Sequence, residues 1–315
     1  MISSLSNLAD RNFVIGFLLP VIIATLTAAG VFQTVWPLSL VWSALGSSEG
    51  FEKLTIAALA MWSSAVLLMT INHPFYQFME GYWGPFDFFK TFGDRQRAVF
   101  DAHVASQAEL KRRGDAGDEE ALSSYWEKEM DFHRIFPTER SYVLPTAFGN
   151  VLCALETYSL DVYGVDAIPG WLRLSGVIPE SFQKQIDSAR AEVDFFVNNC
   201  LLFAILTAVA TAATAYSLIQ WPQTPFNWTY LALATAAPLV SIVCYNAAVA
   251  RAPDWGDLVR SAFDLYLPDL VNQLGYEMPR TNADRKGLMD ALNGSFLLNW
   301  PVDSKFWKKK PAPPP

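Results

Sequence analysis

The chain has 315 residues, of which 52% are hydrophobic, 14% aromatic and only 17% charged. With a mean hydropathy of +0.19 it is too apolar and too poor in charge for an ordinary water-soluble domain. A formal charge of −8 argues against nucleic acid as a partner.

A bilayer core about 30 Å thick requires roughly 20 apolar helical residues, and four runs meet that need. The first is Phe13 to Trp36, which has no ionisable residue and can continue through Trp42 unless Pro37 bends or ends it. The second is Leu54 to Ile71; the third, Phe195 to Ile219, follows Asp194; the fourth, Trp228 to Ala250, stops at Arg251. A helix satisfies its own backbone within the bilayer, and the alternation of a barrel strand is absent. The expected fold class is an all-α membrane protein: four transmembrane helices, with a helical cytoplasmic domain inserted between the second and third spans. A cleaved signal peptide is the rival reading of the N-terminus, because Arg11 precedes an apolar stretch, but that stretch is too long for such a core and predicts an uncleaved anchor.

Of the 23 Lys and Arg residues, 22 fall in the N-terminal tail, the long loop between the second and third spans, and the C-terminal segment; Lys53 alone lies elsewhere. The positive-inside rule then places both termini and the long loop in the cytoplasm. Five segments follow: an N-terminal tail with spans 1 and 2 (1–72), a cytoplasmic helical domain (73–193), spans 3 and 4 (194–250), C-terminal helices (251–304), and a basic, Pro-rich tail (305–315). Cys153 falls in the long loop and Cys200 and Cys244 inside spans, so all three read as apolar packing residues.

The stretch 72–95, "NHPFYQFMEGYWGPFDFFKTFGDR", holds nine aromatic residues directly after the second span. Rings of this kind favour the headgroup level. The expectation is an interfacial belt beginning at Asn72, His73 and Pro74, with an in-plane helix broken at "GYWGP". The functional alternative is a lipid or ligand groove with Glu80 as its polar contact and Tyr82 and Trp83 beside it.

Farther along, Phe100, Val104 and Ala108 recur at helical spacing, "GDAGD" interrupts, and Leu122, Tyr125, Trp126 and Phe132 resume the pattern, which predicts an antiparallel helical hairpin. An apolar stripe of Val151, Leu152, Leu155 and Tyr158 predicts a helix ended by Gly164. Pro179 is suited to open another, and no breaker follows before Ile219, giving a rod of about 60 Å through which the loop domain could act on the bilayer. After the fourth span, Asp254 reads as the cap of a new helix that Pro268 divides. The tail "WKKKPAPPP" reads as lysines for anionic lipid followed by a polyproline-like end.

The motifs "EGYWG", "LPTAFGNVLCALETYSLDVYGVD" and "GDLVRSAFDLYLPDLVNQLG" resemble a group of uncharacterised bacterial four-span membrane proteins over most of the chain beyond residue 70. The chain departs from that pattern at Ala147 and Phe148, where the similar proteins tend to have Arg in "LPTRLGN", and at Trp171 to Leu174, where they have "WPRL". The resemblance implies a bacterial inner-membrane location and this topology; it implies no activity.

Catalytic motifs are missing. No "GxxxxGK", "GxSxG", "HExxH" or CxxC occurs, so no enzyme, no cofactor and no metal site is expected. His73, His103 and His133 stand thirty residues apart, which puts them on no common helix face. The polar cluster Glu139, Arg140, Asn150, Glu156, Tyr158, Asp161, Tyr163 and Asp166 is the better candidate, either for ligand or partner contacts or for a structural network. Within the spans no ionisable residue lies in an interior, which disfavours a proton-coupled carrier; Asn198, Asn199 and Asn246 are the polar exceptions besides Gln33. Ala204, Ala208 and Ala212, with Thr211, form a small-residue stripe suited to close helix packing within or between chains. Two readings follow: a structural, adaptor or sensor protein that meets a protein partner at the cytoplasmic face, or a homo-oligomeric channel or membrane-disrupting effector gated by the cytoplasmic domain.

Overall fold

The computed structural model describes residues 10–33, 38–46, 51–82 and 88–307. Within them the chain is helical, without a strand; the one isolated bridge joins Tyr276 and Trp307. The elements are α1 (Arg11–Val31, with a π-helical segment at Val14–Leu18), α2 (Leu38–Gly46), α3 (Phe51–Glu80), α4 (Phe88–Asp115), α5 (Glu119–Ile135), α6 (Ala147–Tyr163), α7 (Ala167–Leu174), α8 (Glu180–Ile219), α9 (Trp228–Gln273) and α10 (Asn282–Leu298). Four of them, α1, α3, α8 and α9, are long and apolar enough to cross a membrane.

The chain divides into two units. The first comprises residues 1–77 and 187–251. Its helices close on small side chains: Ala24 and Ala28 of α1 meet Leu206 and Ala210 of α8 and Ala237 of α9, while Phe13, Phe17 and Val21 pack on Ala65 and Leu68 of α3. Small residues let backbones approach closely where burial of apolar surface from water is not the driving force. The outward faces carry Leu59, Leu67, Ile205, Val209, Leu239 and Val243, all exposed, as suits lipid contact.

The second unit comprises residues 78–186 and 252–315. Leu155 of α6, Leu174 of α7, Ile186 of α8, Phe263 and Val271 of α9 and Leu288, Met289 and Leu292 of α10 form its core. Helices α4 and α5 form the expected hairpin. Phe100, Phe132 and Phe136 clamp it together with Val143. Gly164 ends α6 in the left-handed conformation at φ 76°, as its position after the apolar stripe predicts.

Several expectations need correction. The second span does not give way at Asn72 to a separate in-plane helix: α3 runs through Pro74 to Glu80 and stops at Gly81, whose φ is 93°. Phe75, Tyr76 and Phe78 therefore belong to the spanning helix itself, and Trp83 and Phe86 lie outside the described residues. A proline inside a helix costs about 3 kcal/mol, but the buried Tyr76 and Met79 of the following turn hold it in place. Likewise, Asp254 lies inside a helix and not at the start of one. Helix α9 runs for 46 residues, from Trp228 through Arg251, Pro253 and Pro268 to Gln273, because Val259, Ala262, Phe263, Leu267, Leu270 and Val271 bury one face in the second unit's core. Helix α7 was not expected, and α2 overlaps the stretch to Trp42 into which the first run could continue. The basic residues and prolines of the tail from Lys308 onward lie outside the described residues.

Candidate functional site

Two of the sequence motifs meet in the second unit. The end of α3 supplies Met79, Glu80 and Gly81, and the start of α6 supplies Thr146 and Gly149. The Thr146 hydroxyl donates to the Met79 carbonyl at 2.6 Å and also accepts from the Gly149 N–H, capping α6. Gly149 is required here: a Cβ at that position would overlap the Glu80 carbonyl oxygen and lie 3.0 Å from the Glu80 Cα. Gly81 turns the chain against the Pro145 ring, 3.0 Å from where its own Cβ would be.

This junction brings acidic groups together. Glu80 is half-buried, and burial, followed by the repulsion of Glu156, pushes its carboxyl up to about 7. Glu156 in turn is raised by burial and then by Asp166; since its side chain is exposed over much of its surface, water screens that effect more than at Glu80. Burial and the same carboxylates push the Cys153 thiol up to about 11 and the exposed Tyr82 to about 12. Cys153 is therefore an inert thiol.

The remaining candidates from the sequence cluster separate. Asn150 is fully buried and structural, accepting from the Leu144 N–H at 2.7 Å and donating to Leu144 O and Gln96 Oε1. Arg140 forms an exposed two-pronged pair with Asp101 on α4. Tyr163 and Tyr158 both donate to one oxygen of Asp264, at 2.7 and 2.8 Å. Asp166 caps α7 through Ile168. In the first unit Asn198 is fully buried with its amide on the Gly16 carbonyl, and Asn199 is 3% exposed and bonds its own helix at Phe195. Asn246 is exposed, as are Ala204, Ala208, Thr211 and Ala212; the face of α8 that packs inside the unit carries Phe203, Leu206 and Ala210 instead.

One cluster escaped the sequence reading. His103 Nε2 and His133 Nε2 stand 3.3 and 3.1 Å from the two oxygens of Glu129, and Gln107 donates to the same carboxylate at 2.8 Å. His103 stacks on Phe132 with ring centroids 3.6 Å apart. These groups line a cavity of about 120 Å³. Burial disfavours the charge on Glu129, but the bonds from Gln107 and the imidazoles outweigh it, and the carboxyl sits below its ordinary range. The signal was available: residues 103 and 129 average to 116, the centre of the "GDAGD" turn, so an antiparallel hairpin must set them opposite each other. Among the described residues no group of three or more His, Cys, Asp or Glu is placed to hold a metal ion. The larger concavity, an open groove of about 660 Å³ between Leu18 and Ile22 of α1 and Leu54, Ala58 and Trp62 of α3, is almost wholly apolar.

The chain matches no family model, no curated protein and no solved structure.

Proposed function

We propose that the chain is a bacterial inner-membrane protein with both termini cytoplasmic that acts as an adaptor or sensor through its helical second unit. The supporting observation is the position of Glu80. It is the last residue of the helix that carries the second span, it is wedged against α6 through Gly149 and Thr146, and its carboxyl titrates near 7. A change of charge there falls at the end of a spanning helix and at the root of the helix beside it. Lipid surrounds the first unit, and the signal is passed to a protein partner at the cytoplasmic face. Native mass spectrometry of the protein extracted gently from its own membrane tests this reading: a bound second protein supports it, and a bare symmetric ring of three or more chains opposes it.

The alternative, a homo-oligomeric channel or membrane-disrupting effector, draws on the exposure of Ala204, Ala208 and Ala212 on one strip of α8, which leaves small side chains free to meet a second copy. Asn198 and Asn199 lend it no support, because both are turned into the chain's own bundle.

A further inference from the structure

We infer that the first unit holds an oxygen-lined site for one monovalent metal cation of the sodium class, formed by Asp194, Asn72 and Asn198. Asp194 and Asn198 lie one turn apart on the same face of α8 and are 4% and 0% exposed. Asn72 and Tyr76 occupy one face of α3; the Asn72 amide nitrogen donates to Asp194 Oδ1 at 2.9 Å, and the Tyr76 hydroxyl donates to the same oxygen at 2.8 Å. From α1 comes Gly16, inside the π-helical segment, a distortion that often accompanies function. Its carbonyl accepts from the Asn198 amide nitrogen at 2.8 Å, and its lack of a side chain lets α1 approach Asp194, whose Cβ lies 3.2 Å from where a Gly16 Cβ would be.

Both amides thus have their nitrogens committed, and that fixes which way they point. Asn72 Oδ1 and Asn198 Oδ1 are left buried with no donor, although Asn72 is itself only 6% exposed. Three helices thus bring together a buried carboxylate and two buried amide oxygens without a donor, one on the Asn72 side chain bonded to Asp194 and one on Asn198, a turn from it. Arg190, more than half exposed, reaches Asp194 Oδ2 only at 3.8 Å, the far limit of an ion pair. Water could satisfy the amide oxygens but could not offset the charge. A cation does both. All the donors are hard oxygens, which disfavours the softer metals such as zinc and copper, and one carboxylate beside an arginine is too little negative charge for a divalent magnesium, manganese or calcium ion. A singly charged ion fits, and it would tie α1, α3 and α8 together at the point where the second apolar run ends and the third begins.

The test is the unfolding temperature of the full-length protein in detergent, with sodium, potassium or choline chloride at matched ionic strength. The expected result is a saturable rise with sodium or potassium over choline. Asp194→Asn abolishes it, while Asn199→Ala, which alters a buried amide bonded only to its own helix, retains it. Equal curves in all three salts for the wild type, or an undiminished rise in Asp194→Asn, would overturn the site. Among the described residues Arg190 on its own helix and Tyr76 on α3 face Asp194, and α1 brings the Gly16 backbone against it. Stabilisation by acid alone, with no difference among the salts at any pH, would make the occupant a proton and refute the metal ion. Failure of this test leaves the adaptor reading untouched, since that rests on the second unit.

Discussion

Glu80 and Gly149 face each other across the junction of α3 and α6, and each supports a distinct test. A carboxyl raised in the folded state is stabilising while protonated: the contribution is complete below its ordinary value of 4.5 and is lost as pH rises through about 7. Melting temperature of the wild type should therefore fall across that window relative to Glu80→Gln, which removes the ionisation. The difference at pH 8 is on the order of 1–2 kcal/mol once screening of a half-exposed group is allowed for. Parallel pH profiles for the two proteins would show that Glu80 is freely solvated. Gly149→Ala inserts a methyl group against the Glu80 backbone, which cannot swing aside as a side chain would; denaturant unfolding should register a loss of about 1–3 kcal/mol. The residue types at this junction were legible, because "EGYWG" and "LPTAFGN" stand out in the sequence. Their contact was not, since more than sixty residues of chain separate them and no local pattern records which helix end meets which.

At the scale of elements, periodicity foretold the hairpin, the end of α6 at Gly164 and the long uninterrupted α8. It misjudged α3 and α9 because the first polar residues after each apolar run, Asn72 and Arg251, were read as ends, and Pro268 as a divider. The cost of a proline is a few kcal/mol, and a helix whose next turns bury Tyr76 and Met79, or Phe263 and Val271, recovers more than that by packing. The His103–Glu129–His133 cluster belongs to this scale, since it exists only when α4 pairs with α5. Glu129→Ala deprives Gln107 and both imidazoles of their shared acceptor. Hydrogen exchange over residues 88–135 should then show faster opening of the hairpin, by about 1–2 kcal/mol, with the protection of α10 unchanged.

At the scale of the whole molecule, the outer faces of the first unit carry exposed apolar side chains. Lipid suffices for Leu59, Leu67 and Val243, and the strip of Ala204, Ala208 and Ala212 is where a second copy would show itself. Ala208→Leu adds bulk at an exposed site, so the melting temperature of the single chain should not change. If the channel reading holds, native mass spectra should lose the oligomer and conductance should vanish; an unchanged oligomer would remove this strip from assembly. The grouping of residues 252–315 with 78–186 was hidden from the sequence, which presents the C-terminal helices as a separate segment.

Composition and the four apolar runs determined, without any coordinates, that the chain is helical and suited to a membrane, because a bilayer accepts only segments that satisfy their own backbone and 20-residue apolar runs have few other uses. Hairpin pairing could also be counted off from its turn. Tertiary structure alone decided the rest: that Asp194, outside the third run by one residue, is sealed among three helices with Asn72, Tyr76 and Asn198; that Glu80 and Glu156 share a neighbourhood; and that Arg140 and Asn150, equal as candidates, are respectively an exposed ion pair and a buried brace. Burial and orientation are properties of the packed whole, and a charge or an amide acquires its chemistry from them.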